Sequence, residues 1–298
     1  MKLKINKGGL RKLKKDNKRF KLGAFFQLPK PETLPPDFSL LTETPLKVEH
    51  QRNSDFCTGE ATGYLTELQE GVDIEPSWSF AISKSISGDY EVYGQDLQTA
   101  MKAHVKFGAL EKKDSPYTLD TRAPEFLRRI ENWPMELYDK AKVHQKESYF
   151  EVIGPYDPFD DIRASIWLFK AQKRAVAIGL VFSWPLSQVL LKDAANEGFG
   201  HAMAAVGFKT IAGVPHLEVL NSYGENAGDK GKHYVSREVI NKYVREYGAF
   251  MFVDKPDLTK DEIILKSQQY RVNIFVKLYY ALKELVLQYG KAFDGGKI

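Results

Sequence analysis

The sequence predicts an α+β protein built as two lobes, helical first and β-rich second. Three observations predict it. Apolar residues recur at helical spacing after Cys57 and again over 95–108. A continuous apolar run from Ala175 to Phe182 has the length of a buried strand, and strand-like stretches follow over 201–208, 216–221 and 248–253. Turn glycines at Gly213 and Gly224–Gly228 separate these later stretches. Helices before strands favour segregated layers over an alternating βαβ arrangement.

The composition permits this and excludes several classes. A chain of 298 residues with 43% hydrophobic content can bury a sizeable core in one large domain or two lobes. No stretch approaches the roughly 20 apolar residues that span a bilayer. The N-terminus is basic but lacks an apolar h-region, and no Asn-x-Ser/Thr acceptor occurs. Cys57 is the one cysteine, so no intramolecular disulfide and no multi-cysteine zinc site can form. A cytoplasmic or virion-associated protein without a recognisable secretion signal is expected, with no metal or cofactor.

In chain order, residues 1–22 carry ten Lys or Arg against one acid, Asp16. With a net charge of +4 overall, the rest of the chain is mildly acidic. Such a tail is expected to be solvated. It is also suited to nucleic acid or an acidic surface, or to service as a pro-segment. Residues 28–50 begin with Pro29, Pro31, Pro35 and Pro36 and read as extended chain. Asn53-Ser54-Asp55 is turn or helix-cap chemistry; Ala61, Tyr64, Leu65 and Leu68 continue at helical spacing, and Gly71 stops the helix. A second helix over 95–108 ends at Gly108, and Ser115-Pro116-Tyr117 turns the chain. A polar helix is expected over 135–147 and a further helix near 160–173. Beyond Pro256, Ile274, Leu278, Leu282, Leu285 and Tyr289 form an amphipathic stripe, expected to dock on the body or on a partner. The boundaries read as a basic tail over 1–22, a main domain over 23–255 and a helical extension over 256–298.

Cys57 at a helix start is in the field that favours a thiolate. Of six histidines, His201 stands apart, because it follows Gly198-Phe199-Gly200 and opens the apolar run from Ala202 to Phe208. A strand from Leu217 ends in Asn221, whose amide oxygen could orient an imidazole, or could simply serve the following turn.

These segments resemble the papain family of cysteine peptidases. Gln51 precedes Cys57 by six residues, the family's interval between its oxyanion glutamine and its nucleophile. Gly200-His201-Ala202 running into Val206-Gly207-Phe208 is similar to the family's Gly-His-Ala strand. Asn221-Ser222-Tyr223-Gly224 is similar to its Asn-Ser-Trp-Gly. His201 lies 144 residues after Cys57 and Asn221 lies 164 after it, close to the family's spacing of about 130–150. The resemblance covers about residues 35–253 and implies a two-lobed papain-like fold, with a helical left lobe and an antiparallel β-barrel-like right lobe. It implies an endopeptidase in which Cys57 attacks, His201 transfers the proton, Asn221 orients the ring and Gln51 helps hold the oxyanion. It further implies that Tyr93, Gly94, Ala202 and Tyr223 line the cleft for a peptide or protein substrate. Cys57-Thr58 is closer to bacterial and viral-type members, as is the absence of the family's first cysteine. Phe56 is bulky beside the nucleophile. The basic tail is too short to fold as a pro-domain yet long enough to thread the cleft. Two other readings share the scaffold: a catalytically silent papain-like component of a larger, phage-like assembly, and a cysteine-dependent transferase or amidase.

Overall fold

A computed structural model describes residues 9–14, 19–154, 156–182, 187–193 and 199–254. The chain divides into two units, Met1–Val253 and Asp254–Ile298. The expected C-terminal extension and its amphipathic stripe lie outside the described residues.

Seven α-helices occur among the described residues: α1 Cys57–Glu70, α2 Pro76–Ser87, α3 Leu97–Phe107, α4 Pro124–Leu127, α5 Leu137–Lys142, α6 Pro158–Leu168 and α7 Arg237–Tyr247. Helix α1 ends at Gly71, whose φ of 70° is the left-handed conformation that glycine adopts without a Cβ penalty. Helix α2 starts with Pro76 at its first turn, and the Glu75 side chain caps the Ser77 N–H. Asp96 caps α3 in the same way through the Thr99 N–H.

The helical lobe closes around Phe56, Trp78, Phe80, Leu110, Leu127, Trp133 and Leu137. Phe56 does not crowd the cleft, as its bulk suggested. Its ring stacks on Phe80 with centroids 4.4 Å apart, inside this cluster. The expected helix over 135–147 is confined to α5, because the chain then turns so that the Lys146 N–H reaches the carbonyl of His104 on α3.

The strands are β1 Phe38–Ser39, β2 Tyr149–Glu151, β3 Val176–Phe182, β4 Leu190–Leu191, β5 Phe199–Ile211, β6 Val214–Leu220, β7 Lys232–Ser236 and β8 Ala249–Phe252. They form one sheet in the order β2-β8-β3-β5-β6-β7-β4, with β1 also paired to β5. The pairs are antiparallel except β4 with β7. The expected barrel-like closure is not found, and the sheet is open. Closure needs continuous pairing around a tilted ring, whereas the ends of this order are β2, three residues long, and β4, two residues long. Register places Leu180 opposite His201 and Gly179 opposite Ala202 at the centre of the sheet.

Beside α1 lies a cluster of buried acids. Glu60, Glu67 and Glu75 are at most 5% exposed. Lys112 bridges Glu49 and Asp73 in the same neighbourhood, at 2.5 and 2.9 Å. Burial, with mutual repulsion, pushes Glu60 well above the ordinary carboxylate range, Glu67 up to about 8 and Glu75 up to about 7. These groups bind protons more tightly in the folded chain than in the unfolded one. Their contribution is therefore whole at acid pH and is lost as pH rises from the usual carboxyl range through 7 to 8. Thermal unfolding measured from pH 5 to pH 8 is expected to show Glu67→Gln gaining on the wild type as pH rises. Parallel curves for the two proteins would contradict this.

Candidate active site

Cys57 is the first residue of α1 and has no exposed surface. The backbone amides of Ala202 and Gly9 lie near its sulfur, so the thiol sits against the residue that follows His201. Burial outweighs both amides and pushes the thiol up to about 12.

His201 stands on β5, 1% exposed. Its Nε2 lies 2.8 Å from Asn221 Oδ1. An amide oxygen only accepts, so the imidazole donates from Nε2, which leaves Nδ1 to exchange a proton elsewhere. The same oxygen takes the Ser222 N–H at 2.8 Å and is thereby fixed from two sides. Tyr223 stacks on the imidazole, with centroids 5.0 Å apart and planes at 24°. Burial lowers His201 to about 4. A dry site thus favours a neutral thiol and a neutral imidazole over the ion pair.

Gln51 is 1% exposed and joins the two lobes. Its N–H donates to the Ser222 carbonyl at 2.8 Å, its Oε1 accepts from Ser222 Oγ at 2.5 Å, and its Nε2 donates to the Ser54 carbonyl at 3.0 Å. Ser222 was not singled out from sequence; a serine after a strand-end asparagine reads as turn chemistry.

The other histidines are engaged elsewhere. His104 Nδ1 lies 3.2 Å from Thr66 Oγ1, and His144 sits between Glu70 and Glu111. His50 Nδ1 accepts from the Arg52 N–H, His216 Nδ1 donates to the Val214 carbonyl, and His233 Nδ1 donates to the Gln188 carbonyl. His233 is near enough to His201 to oppose its protonation. Among the described residues no group of His, Cys, Asp and Glu could hold a metal ion.

The opposite wall is Tyr93 and Gly94. Asp55 is fully buried and fixes this wall: its Oδ2 accepts the Gly94 N–H at 2.6 Å, and its Oδ1 accepts from Arg128 at 3.2 Å. The buried ammonium of Lys84 donates to the carbonyls of Val92 and Gly94, the latter at 2.6 Å. Burial pulls Lys84 down to about 8. Of the two sequence readings of this cluster, turn or helix cap, the cap is not found: the residue before α1 is Phe56, without a side-chain cap.

The space where the resemblance places the cleft is crossed by the chain itself. The Gln95 N–H donates to the Gly9 carbonyl at 2.7 Å, the Arg11 N–H donates to the Gln95 carbonyl at 3.0 Å, and the Leu10 N–H donates to the Gly200 carbonyl at 3.0 Å. Residues 9–11 thus bridge the two walls as a short strap, parallel to Gln95 on one side. Three glycines permit the crossing: a Cβ would strike the Asp55 carbonyl from Gly9, the Gly9 carbonyl from Gly94 and the Leu10 carbonyl from Gly200. The Leu10 side chain is 6% exposed over Gly179. Arg11 pairs with Asp89 at 2.5 Å, and Lys12 with Glu246 at the surface. Gly9 and Leu10 are thus buried, whereas Lys12 and Lys14 are exposed as expected of a solvated tail.

The fold is shared with papain-like cysteine proteases. Xylellain, a cysteine protease from Xylella fastidiosa, superposes with a TM-score of 0.67 at 17% identity over 84% of this chain and 97% of its own. Procathepsin B S9 from Trypanosoma congolense gives 0.60 at 13% identity over 83% and 86% of the two chains. Procathepsin L 3 of Tenebrio molitor larval midgut gives 0.55 at 15% identity over 78% and 75%. No family model matches the sequence, and no curated protein matches it.

Energetics decide what holds the strap. Burying a leucine is worth about 1.5–3 kcal/mol, whereas an exposed pair such as Lys12–Glu246 contributes little. Gly9→Val is therefore expected to expose Cys57, and iodoacetamide mass labelling should run about ten- to hundredfold faster than in wild type. Lys12→Ala should stay within about twofold of wild type. Equal rates for Gly9→Val and wild type would show that the strap does not cover the thiol.

Proposed function

We propose that this protein is a cysteine endopeptidase held in a latent form by its own N-terminal strap. The observation that carries the reading is the His201–Asn221 pair at 2.8 Å, stacked on Tyr223, with Cys57 beside the backbone of Ala202, the next residue along β5.

Release of the strap admits water and removes much of the desolvation that keeps thiol and imidazole neutral. The Cys57 proton then passes to His201 Nδ1, and Asn221 holds the ring through Nε2. The thiolate attacks the substrate carbonyl carbon. The oxygen gains the electron pair and is held by the Cys57 backbone N–H and the Gln51 side-chain amide. Removing one such donor costs about 10²–10³ in kcat in comparable sites. The tetrahedral intermediate collapses, His201 gives its proton to the leaving amine, and a thioester remains. Water, deprotonated by His201, attacks the thioester and restores the thiol. Tyr93, Gly94, Ala202 and Tyr223 line the groove that takes the peptide.

The silent-scaffold reading has one observation in its favour, the complete burial of Cys57. The strap accounts for that burial. Cys57-Thr58 keeps a bacterial or phage-like origin and a reducing location as part of the proposal. A basic tail able to reach nucleic acid or an acidic surface also belongs to it, although Arg11, Lys12 and Arg19 are engaged with Asp89, Glu246 and Glu151 of the same chain.

In the strap-displaced Gly9→Val protein, hydrolysis of a peptide library is expected, and Cys57→Ala should abolish it. His201→Ala should slow Cys57 alkylation at pH 6 by about 10²-fold or more. Alkylation without peptide cleavage would favour the scaffold, and acyl transfer to added amines without hydrolysis would favour a transferase.

A further inference from the structure

One buried hydroxyl bonds the segment before Gln51 and the residue that holds His201. Tyr64 lies on α1, seven residues after Cys57, and is 1% exposed. Its Oη accepts the Glu49 N–H at 2.7 Å and lies 3.2 Å from the Asn221 carbonyl, to which it donates. Glu49 stands two residues before Gln51, and Asn221 is the residue that holds His201. The two segments are zipped together: the Gln51 N–H donates to the Ser222 carbonyl at 2.8 Å, and the Gly224 N–H donates to the Glu49 carbonyl at 2.8 Å. Ser222 Oγ closes the same ladder onto Gln51 Oε1 at 2.5 Å. Between Phe56 and Glu70, the Tyr64 hydroxyl makes hydrogen bonds to both strands of this ladder.

We propose that Tyr64 is a positioning residue, whose single hydroxyl sets the nucleophile helix against both the Asn221–His201 pair and the Gln51 segment. The inference rests on the peptidase reading for its catalytic meaning, though the geometry stands without it. Two different backbone partners make the hydroxyl a distance gauge: sliding α1 along its axis lengthens one bond or the other. A phenylalanine fills the same space and keeps neither. The hydroxyl also keeps its proton. Burial, with Glu60, Glu67 and Glu49 around it, pushes its ionisation well above the usual tyrosine range, so it remains a donor to Asn221.

The test compares Tyr64→Phe with Thr66→Val in the full chain. Thr66 is on the same helix and buried, but its hydroxyl faces Thr62 and His104. The readout is the His201 Nε2–H resonance in a ¹⁵N-imidazole spectrum and its exchange with solvent. Tyr64→Phe is expected to shift this resonance and to speed its exchange about tenfold or more, since a loosened Asn221 no longer pins the ring. Thr66→Val is expected to leave both unchanged while lowering the melting temperature. In the Gly9→Val background, Tyr64→Phe should lower kcat about tenfold with KM within about twofold. If Tyr64→Phe lowers the melting temperature and leaves the His201 resonance as in wild type, the hydroxyl is only structural and the proposal is overturned. If the resonance responds but no strap-displaced protein cleaves peptide, the positioning role stands and the peptidase reading fails.

Discussion

Helix α1 has no solvent-facing side between Cys57 and Leu68. A helix buried on all faces cannot be held by one amphipathic stripe, so it must be gripped by both lobes. Its first turn faces β5, its flank meets α2 and α3, and Tyr64 reaches the end of β6. The sulfur therefore inherits its position from the whole core. Most of the charge buried against this helix is carboxylate, with Lys112 as the near counter-ion. A buried acid without a full partner is tolerated by remaining protonated. The rigidity of the site and the acid preference of the fold thus come from the same packing.

Where the candidate site residues fall on the elements was legible, because they lie in short segments with local meaning. Cys57 could be placed at a helix start because a polar cluster precedes it and Ala61, Tyr64, Leu65 and Leu68 follow at helical spacing. His201 and Asn221 could be placed at the ends of strands. Which side chain meets which is non-local, and there the sequence is silent. Asp55 looks like a turn or helix cap in sequence, yet its carboxylate holds Gly94 from 39 residues away. Tyr64 reads as one more core position, because nothing local says that its hydroxyl meets a carbonyl 157 residues on.

Helix α2 escaped the sequence reading for a different reason. Its segment, Pro76 to Ser87, mixes serines with aromatics and lacks a clean stripe, since Pro76 through Lys84 are all buried. Ser83 supplies its own local bond to the Phe80 carbonyl. A periodicity argument needs one face in water, and this helix has little of one. The open sheet was missed because strand length does not specify whether the last strand meets the first.

The strap across the cleft has a consequence in the language of mass action. Strap and cleft belong to one chain, so their association is unimolecular, with an effective concentration that for short tethers is on the order of millimolar. Dilution does not loosen it. On the proposed reading, a substrate peptide would have to outcompete that local concentration as well as match the contacts of Gly9 and Leu10.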